Sequence, residues 1–398
     1  MAEQARLLYD SISPNTGDIA IGIASQQIFD KLGVSSSIID PFSDAPRAPL
    51  VIGGGELIRE TGDPFYDRFR RRGRHILNAA GVWTTATDLD YLNEYEFVSA
   101  RSSRELEVLH RYVKDAELLP CATTALESPR FEIPGVEESE PVVGIHLVPH
   151  ALRLIDRLAP IINAIPHKKV FIPFTHYNGD RSFMTSLPFD WSNSVVLDEL
   201  QPLELHSVIG QMKYVVVSSL HASIFAYSQN VPFASVYQKK AHYYFDDRQL
   251  ADHMVSNEPQ LATLIERLEH EEFDFTERVA EDRVKITSAF EKYRDILGAA
   301  HTDASDASDQ ADLLAETGSH PKDRILLQQA QQVLGDRDLV LAFSEHRLDD
   351  ARRTIEILED EVRTRQAEID LFENSRTRRI QRRYARFRAT LSRLFVRS

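Results

Sequence analysis

Ser218, Ser219 and His221 stand together between an apolar, β-branched run, YVVV at 214–217, and a stretch at 221–229 that reads as a helix. Hydroxyls and a histidine at the carboxyl end of a strand, beside a helix N-terminus, are groups that can hold an anion. Free amide N–H groups and the helix dipole both favour negative charge there. In open α/β sheets ligands gather at such strand ends. A structural reading of the same residues stays open, in which His221 caps the helix and the serines fill a turn. Asn230 ends the helix, Pro232 blocks its continuation, and 233–237 reads as a second buried strand. The unit 214–237 is therefore a βαβ element with an expected right-handed crossover.

The preceding chain must position this unit, and it reads as repeated β/α elements. A strand is expected over 5–12, then a loop leading to Asp18 as N-cap of a helix over 19–32. Short strands follow at 36–40 and 49–52. Gly53-Gly54-Gly55 then opens a helix carrying Glu56, with glycine allowing close approach of a ligand or a neighbouring loop. Strands at 75–80 and 95–100, the latter ending at Arg101, and a helix over 102–114 complete the first domain. The Glu- and Pro-containing stretch 132–141 suits a linker. Beyond it come a strand at 142–148, a helix over 150–164, and a strand at 169–174 that runs into a loop holding His176 and Asp180. A strand at 195–197 and a helix over 203–211 precede the organising unit. Residues 259–297 read as helical and are expected to cover the outer face of the second domain. Strand and helix alternation gives the α/β class directly, with domains expected at 1–135 and 136–298.

A hydrophobic strand followed by small-x-Leu-His-Ala, a helix ending in Val-Pro, a strand and Tyr-x-Lys resembles the polysaccharide pyruvyl transferase family. Asn15-Thr16-Gly17-Asp18, Val51-Ile52-Gly53-Gly54-Gly55-Glu56 and Phe97-Val98-Ser99-Ala100-Arg101 lie in that family's order, and the matches span about residues 7–250. One position departs: Ser219 stands where the family usually has arginine. The resemblance implies two Rossmann-like domains facing a cleft, GT-B-like, and transfer of an enolpyruvyl group from phosphoenolpyruvate to a sugar of a cell-surface glycan or glycolipid precursor, forming a ketal. It implies no cofactor beyond phosphoenolpyruvate as co-substrate.

Such a reaction needs cations for phosphate and carboxylate, an acid for the enol carbon and a base for the hydroxyl. The resemblance puts His221 and Arg101 at the catalytic donor site, with Ser218, Ser219, Lys239 and Lys240 as donor-binding candidates. Arginine holds an oxyanion bidentately, and lysine supplies a compact charge. Asp18, Glu56, His176 and Asp180 are candidates for the acceptor side or the base; for His176 and Asp180, ordinary loop polarity explains the residue equally well. Two alternatives remain: a GT-B glycosyltransferase using a nucleotide sugar, and a non-catalytic glycan-binding or scaffold relative, the latter motivated by Ser219. No metal site is expected, since His146 of the His146/His150 pair falls in a strand. The Gly-x-Ser-x-Gly elbow, the P-loop and the Rossmann glycine spacing are all missing from the sequence.

Length, 398 residues, fits two domains with room for appendages. A net charge of −15 argues against a general nucleic-acid binder. The single cysteine excludes an intrachain disulfide and fits a reducing cytoplasm. No signal peptide or bilayer-spanning run is evident. Residues 299–322 read as an acidic linker. Leu327, Leu334, Leu341, Leu348, Ile355, Val362 and Ile369 recur every seven residues, so 323–373 is expected to form a coiled coil and a homo-oligomer. Residues 374–398 hold nine arginines and no Asp or Glu, with Ile380, Tyr384, Phe387, Leu391 and Leu394 on one helical face. That pattern suits a helix lying on an anionic membrane surface, here expected to be the inner face of the cell membrane.

Overall fold

The computed structural model describes residues 4–11, 15–42, 48–63, 65–174, 179–198, 200–303, 363 and 383–386. The expected coiled coil, the basic tail and His176 lie outside the described residues, apart from single helical positions at 363 and 383–386. Among the described residues no helix is long and apolar enough to cross a membrane.

Two six-stranded, wholly parallel sheets carry the chain. In the first, β1 (Gln4–Leu8), β2 (Ser35–Ile39), β3 (Val51–Gly53), β4 (Ile76–Ala80), β5 (Phe97–Ala100) and β6 (Glu117–Leu118) lie in the order β2-β1-β3-β4-β5-β6. In the second, β7 (Val142–His146), β8 (Lys168–Phe171), β9 (Ser194–Val196), β10 (Tyr214–Val217), β11 (Phe233–Val236) and β12 (Met254–Val255) lie in the order β12-β11-β10-β7-β8-β9. The second order is that of a dinucleotide-fold sheet and the first that of a flavodoxin-like one. Each has one switch point where neighbouring strands depart in opposite directions, at β1/β3 and at β7/β10, and there the connecting loops part to leave a crevice. The architecture is α/β, two Rossmann-like domains in a GT-B-like pair. Parallel strands covered on both faces must be apolar throughout, and β4, β7, β10 and β11 are buried at every position.

Helices α1 (Thr16–Lys31) and α2 (Ser103–Leu109) belong to the first domain; α3 (Leu158–Asn163), α4 (Asp180–Ser186), α5 (Pro202–Ile209), α6 (Leu220–Ser228), α7 (Lys239–Asp246) and α8 (Glu258–His270) belong to the second. The organising unit folds as its pattern dictates. β10, α6 and β11 match expectation to within about a residue, and Ser219 is the N-cap of α6, its hydroxyl accepting from the Ala222 amide at 3.3 Å. All nine residues of α6 are buried, because the helix packs against α1 and the 3-10 turn Ala122–Ala125 of the first domain as well as against its own sheet.

Four expectations are corrected. Asp18 does not cap α1; Asn15 does, and Asp18 sits in the first turn, accepting from Asn15 Nδ2 at 2.6 Å. Glu56 is not on a helix, because Gly54 and Gly55 take φ of +88° and +70° and turn the chain into a loop that continues beside β4. The segment 150–164 is not one helix but a 3-10 turn (Pro149–Arg153) followed by the short α3. Finally, α9 (Thr276–Asp303) does not cover the second domain alone. It returns to the first, packing Phe290 against Phe29 at 4.9 Å and Tyr293 edge-to-face against Phe97 at 5.2 Å, with Tyr293 Oη donating to Asn78 Oδ1 at 3.1 Å. The exposed apolar face of α1 and β5 needs a partner, and these aromatics supply it. The helix also runs to Asp303, into the stretch expected to be linker.

Candidate active site at the interdomain cleft

Both switch points open on the same place. From the first domain come Asp18 in the first turn of α1, Glu56 after β3, and Arg101 at the end of β5. From the second come His221 in the first turn of α6 and Lys240 in the first turn of α7. His221 Nδ1 lies 3.6 Å from Asp18 Oδ1, and Lys240 Nζ lies 3.9 Å from Glu56 Oε2, so both contacts bridge the two domains.

Glycines make this density possible. A Cβ on Gly17 would collide with the His221 imidazole, and one on Gly81 would collide with the Arg101 guanidinium. A Cβ on Gly55 would fall 2.7 Å from the Asp18 carboxyl carbon. The Gly17 contact crosses between the domains, and the other two make room within the first domain for Arg101 and Asp18.

Arg101 is 2% exposed. Its Nε donates to Glu105 Oε1 at 3.2 Å, while Glu105 Oε2 accepts from the Ser102 hydroxyl at 2.8 Å. Its Nη2 is buried without a hydrogen-bond partner, as is His221 Nε2. Buried donors and acceptors are normally satisfied; these two atoms, one from each domain, are among the buried polar atoms of the described residues that are not, and they leave hydrogen-bonding capacity beside the Asp18 carboxyl.

The electrostatics are unequal within the cluster. Burial, then the charges of Arg101 and Lys240, hold His221 well below the ordinary imidazole range, so the ring is neutral at pH 7. Burial, then the negative charge of Asp10, push Asp18 up to about 7, against the opposing pull of Lys240 and Arg101. Burial also works upward on Glu56, but Lys240, Arg101 and Arg59 outweigh it and hold that carboxyl below its usual value, helped by a hydrogen bond from Trp83. One carboxyl is thus ionised and the other poised near neutrality, a division that acid–base chemistry uses.

A cleft of about 460 Å³ adjoins the cluster, lined by Glu56 from one domain and by His150, Arg153, Leu154, Tyr237, Gln238, Lys239 and Lys240 from the other. Lys239 therefore flanks the site, its Nζ 5.7 Å from the Tyr243 ring. Ser218 ties the ends of β7 and β10, its hydroxyl accepting from Val148 N at 2.8 Å and donating to His146 O at 3.3 Å. Asp180 lies instead against His146 of the second domain. It is 1% exposed at the start of α4, 3.6 Å from His146 Nδ1, and accepts from Phe174 N at 3.2 Å. No sequence motif marks His150, Gln238, Arg59 or Asp10, which the fold brings to the site. His150 and Gln238 follow the carboxyl ends of β7 and β11, a placement that becomes legible only once strand order is known.

Among curated proteins none matches. Of solved structures, a putative UDP-N-acetylglucosamine 2-epimerase from Listeria monocytogenes aligns over 79% of this chain and 100% of its own, at 12% identity and a TM-score of 0.47. The Methanocaldococcus jannaschii UDP-GlcNAc 2-epimerase aligns over 68% and 94%, at 9% identity and a TM-score of 0.42. A glycosyltransferase from Streptomyces sp. SF2575 aligns over 73% and 99%, at 11% identity and a TM-score of 0.37. The polysaccharide pyruvyl transferase model matches residues 15–239, more than half of the chain and the whole stretch that supplies Asp18, Glu56, Arg101 and His221. The chain belongs to the polysaccharide pyruvyl transferase family.

Proposed function

We propose that this transferase moves the enolpyruvyl group of phosphoenolpyruvate onto two hydroxyls of a sugar in a cell-surface polysaccharide or glycolipid precursor, closing a pyruvate ketal and releasing phosphate. The observation that carries the reading is the pair of orphaned buried atoms, Arg101 Nη2 and His221 Nε2, set beside a carboxyl poised near neutrality. Arg101 is suited to the donor's carboxylate or phosphate, which would complete its fork. Lys240, Lys239 and the N-termini of α1, α6 and α7 add positive potential for a highly charged anion. The acceptor's first hydroxyl attacks C2 of the enol as C3 gains a proton and becomes a methyl group. The second hydroxyl then displaces phosphate at C2. Two hydroxyl protons leave the acceptor; one is balanced by C3 and the other by the released phosphate, and no redox partner is needed. Asp18 is the group that can both hold and surrender a proton near pH 7, and neutral His221, with Nδ1 toward Asp18, has Nε2 free to take one from the hydroxyl.

The test is incubation with phosphoenolpyruvate and a panel of candidate glycans, following phosphate release and acceptor mass. Matched phosphate release and mass gain, lost in His221→Ala, supports the reading. Transfer from a nucleotide sugar, with none from phosphoenolpyruvate, contradicts it.

A further inference from the structure

Trp83 is a large aromatic left 37% exposed, yet it is held firmly. Its amide donates to Ile58 O at 2.8 Å, Gly81 N donates to Gly55 O at 2.9 Å, and a parallel bridge joins Ile58 to Val82, so 81–83 runs alongside the loop that carries Glu56. The indole N–H, a donor only, faces the Glu56 carboxylate and helps hold it ionised. The Arg59 guanidinium lies 4.5 Å from the Trp83 ring centre and 3.7 Å from that of Tyr66, and its Nε donates to Glu56 O at 3.0 Å. Glu56 itself lines the cleft beside Lys240, and on the second-domain side of that cleft Tyr237 is likewise 37% exposed. None of these groups is needed for an anionic donor, which Arg101 and the lysines serve.

A part-exposed indole with the Arg59 guanidinium over one face and the Glu56 carboxylate beside it matches a sugar ring: the apolar C–H face covers the remaining aromatic surface, and hydroxyls meet the charged acceptors and donors. We propose that Trp83, backed by Tyr66 and Arg59, is the subsite that positions the acceptor, with a pyranose stacked on the indole and its hydroxyls directed to Glu56. This rests on the reading of the chain as a transferase to sugar hydroxyls. It names the acceptor wall as the first-domain loop pair 55–59 and 81–83 and leaves the donor to Arg101.

The chain has two tryptophans, and the other, Trp191, packs against Phe171 at 4.8 Å and Phe189 at 5.6 Å. Trp191→Phe therefore leaves Trp83 as the sole indole reporter. Titration with the methyl glycosides of galactose, glucose, mannose, N-acetylglucosamine and N-acetylmannosamine should produce a saturable emission change in Trp191→Phe for at least one sugar, and none in Trp83→Phe. In turnover, Trp83→Ala should raise the acceptor KM about tenfold without moving the phosphoenolpyruvate KM, and Trp83→Phe should recover most of that loss. The subsite is overturned if no glycoside perturbs Trp83, if the signal persists in Trp83→Phe, or if Trp83→Ala raises both KM values alike. A glycoside response without phosphoenolpyruvate-dependent phosphate release would sink the transfer reaction and leave the subsite standing. Turnover with an unresponsive Trp83 would do the reverse.

Discussion

Arg248, at the seam between α7 and α9, and Arg101, in the interdomain cleft, are both arginines withdrawn from water, and their forks end differently. Arg248 Nε donates to Asp282 Oδ2 at 2.7 Å, Nη1 donates to Tyr244 O at 2.7 Å, and the guanidinium lies 3.6 Å from the Tyr244 ring centre. Tyr244 Oη accepts from Cys121 N at 3.3 Å and lies 3.2 Å from Thr124 Oγ1, so this seam fastens one domain to the other. Arg283 reinforces it, with Nε on Thr124 O at 3.0 Å and Nη2 on Ser228 O at 2.9 Å. Arg101 has one carboxylate and then an orphaned Nη2, in space that Gly81 leaves for its guanidinium. Satisfied charge at the seam is architecture; unsatisfied charge in the cleft costs stability, which the proposed ligand would offset.

The sharpest way to break this contrast is to truncate both arginines. Arg248→Ala should destabilise the fold by about 3–5 kcal/mol, because buried Asp282 loses its counter-charge and keeps only the Tyr227 hydroxyl. Turnover per folded molecule should change little. Arg101→Ala should lower kcat/KM at least about a hundredfold with a smaller loss of melting temperature. Thermal melts beside phosphate-release kinetics separate the two, and an exchange of phenotypes would show that the arginines had been assigned the wrong way round.

Asp18→Asn comes next, with an expected loss of about a hundredfold in turnover. Its stability effect has a definite sign. The folded state holds the Asp18 proton up to about pH 7, whereas the unfolded chain releases it at the ordinary carboxylate value. Wild type therefore loses stability as pH rises between those limits. Asparagine removes that loss, so the melting advantage of Asp18→Asn should grow from pH 4 to pH 7 and then level off; a constant difference across that range would show that Asp18 titrates normally.

Gly17→Ala probes the same cluster through geometry alone. The added methyl must displace the His221 ring, and a misplacement of about 1 Å costs on the order of tenfold to a hundredfold in turnover. Wild-type kinetics in that variant would mean the imidazole has room that the packing denies it. The smallest effect expected is for Ser219→Ala, which removes the α6 cap and about 1 kcal/mol of stability, measured by denaturant melts; no change would mean the cap hydrogen bond is replaced by water.

Much of the fold was readable locally. A four-residue β-branched run, a serine-capped apolar helix and a second short strand are written in consecutive residues, which is why 214–237 is recovered so closely. What failed was non-local. Asp18 looks like an N-cap because Asp before an apolar run is one, yet Asn15 begins the helix one turn earlier and frees the carboxyl for the cleft. Glu56 looked helical because glycine triplets often open helices, but two left-handed glycines bend the chain toward β4 instead. The return of α9 to the first domain depends on a surface left bare by distant elements. Bringing Asp18, Glu56, Arg101, His221 and Lys240 together required two switch points to face one another, and strand order is invisible to any window along the chain.

The central claim is that the orphaned Arg101 fork is a site for phosphoenolpyruvate. Calorimetric titration of phosphoenolpyruvate into wild-type protein and into Arg101→Ala tests it directly. The account predicts saturable binding to wild type, weakened at least about tenfold by the substitution, since a charge-assisted bidentate contact is worth more than an ordinary hydrogen bond. Absence of binding to wild type, or equal affinity in the two proteins, would contradict it.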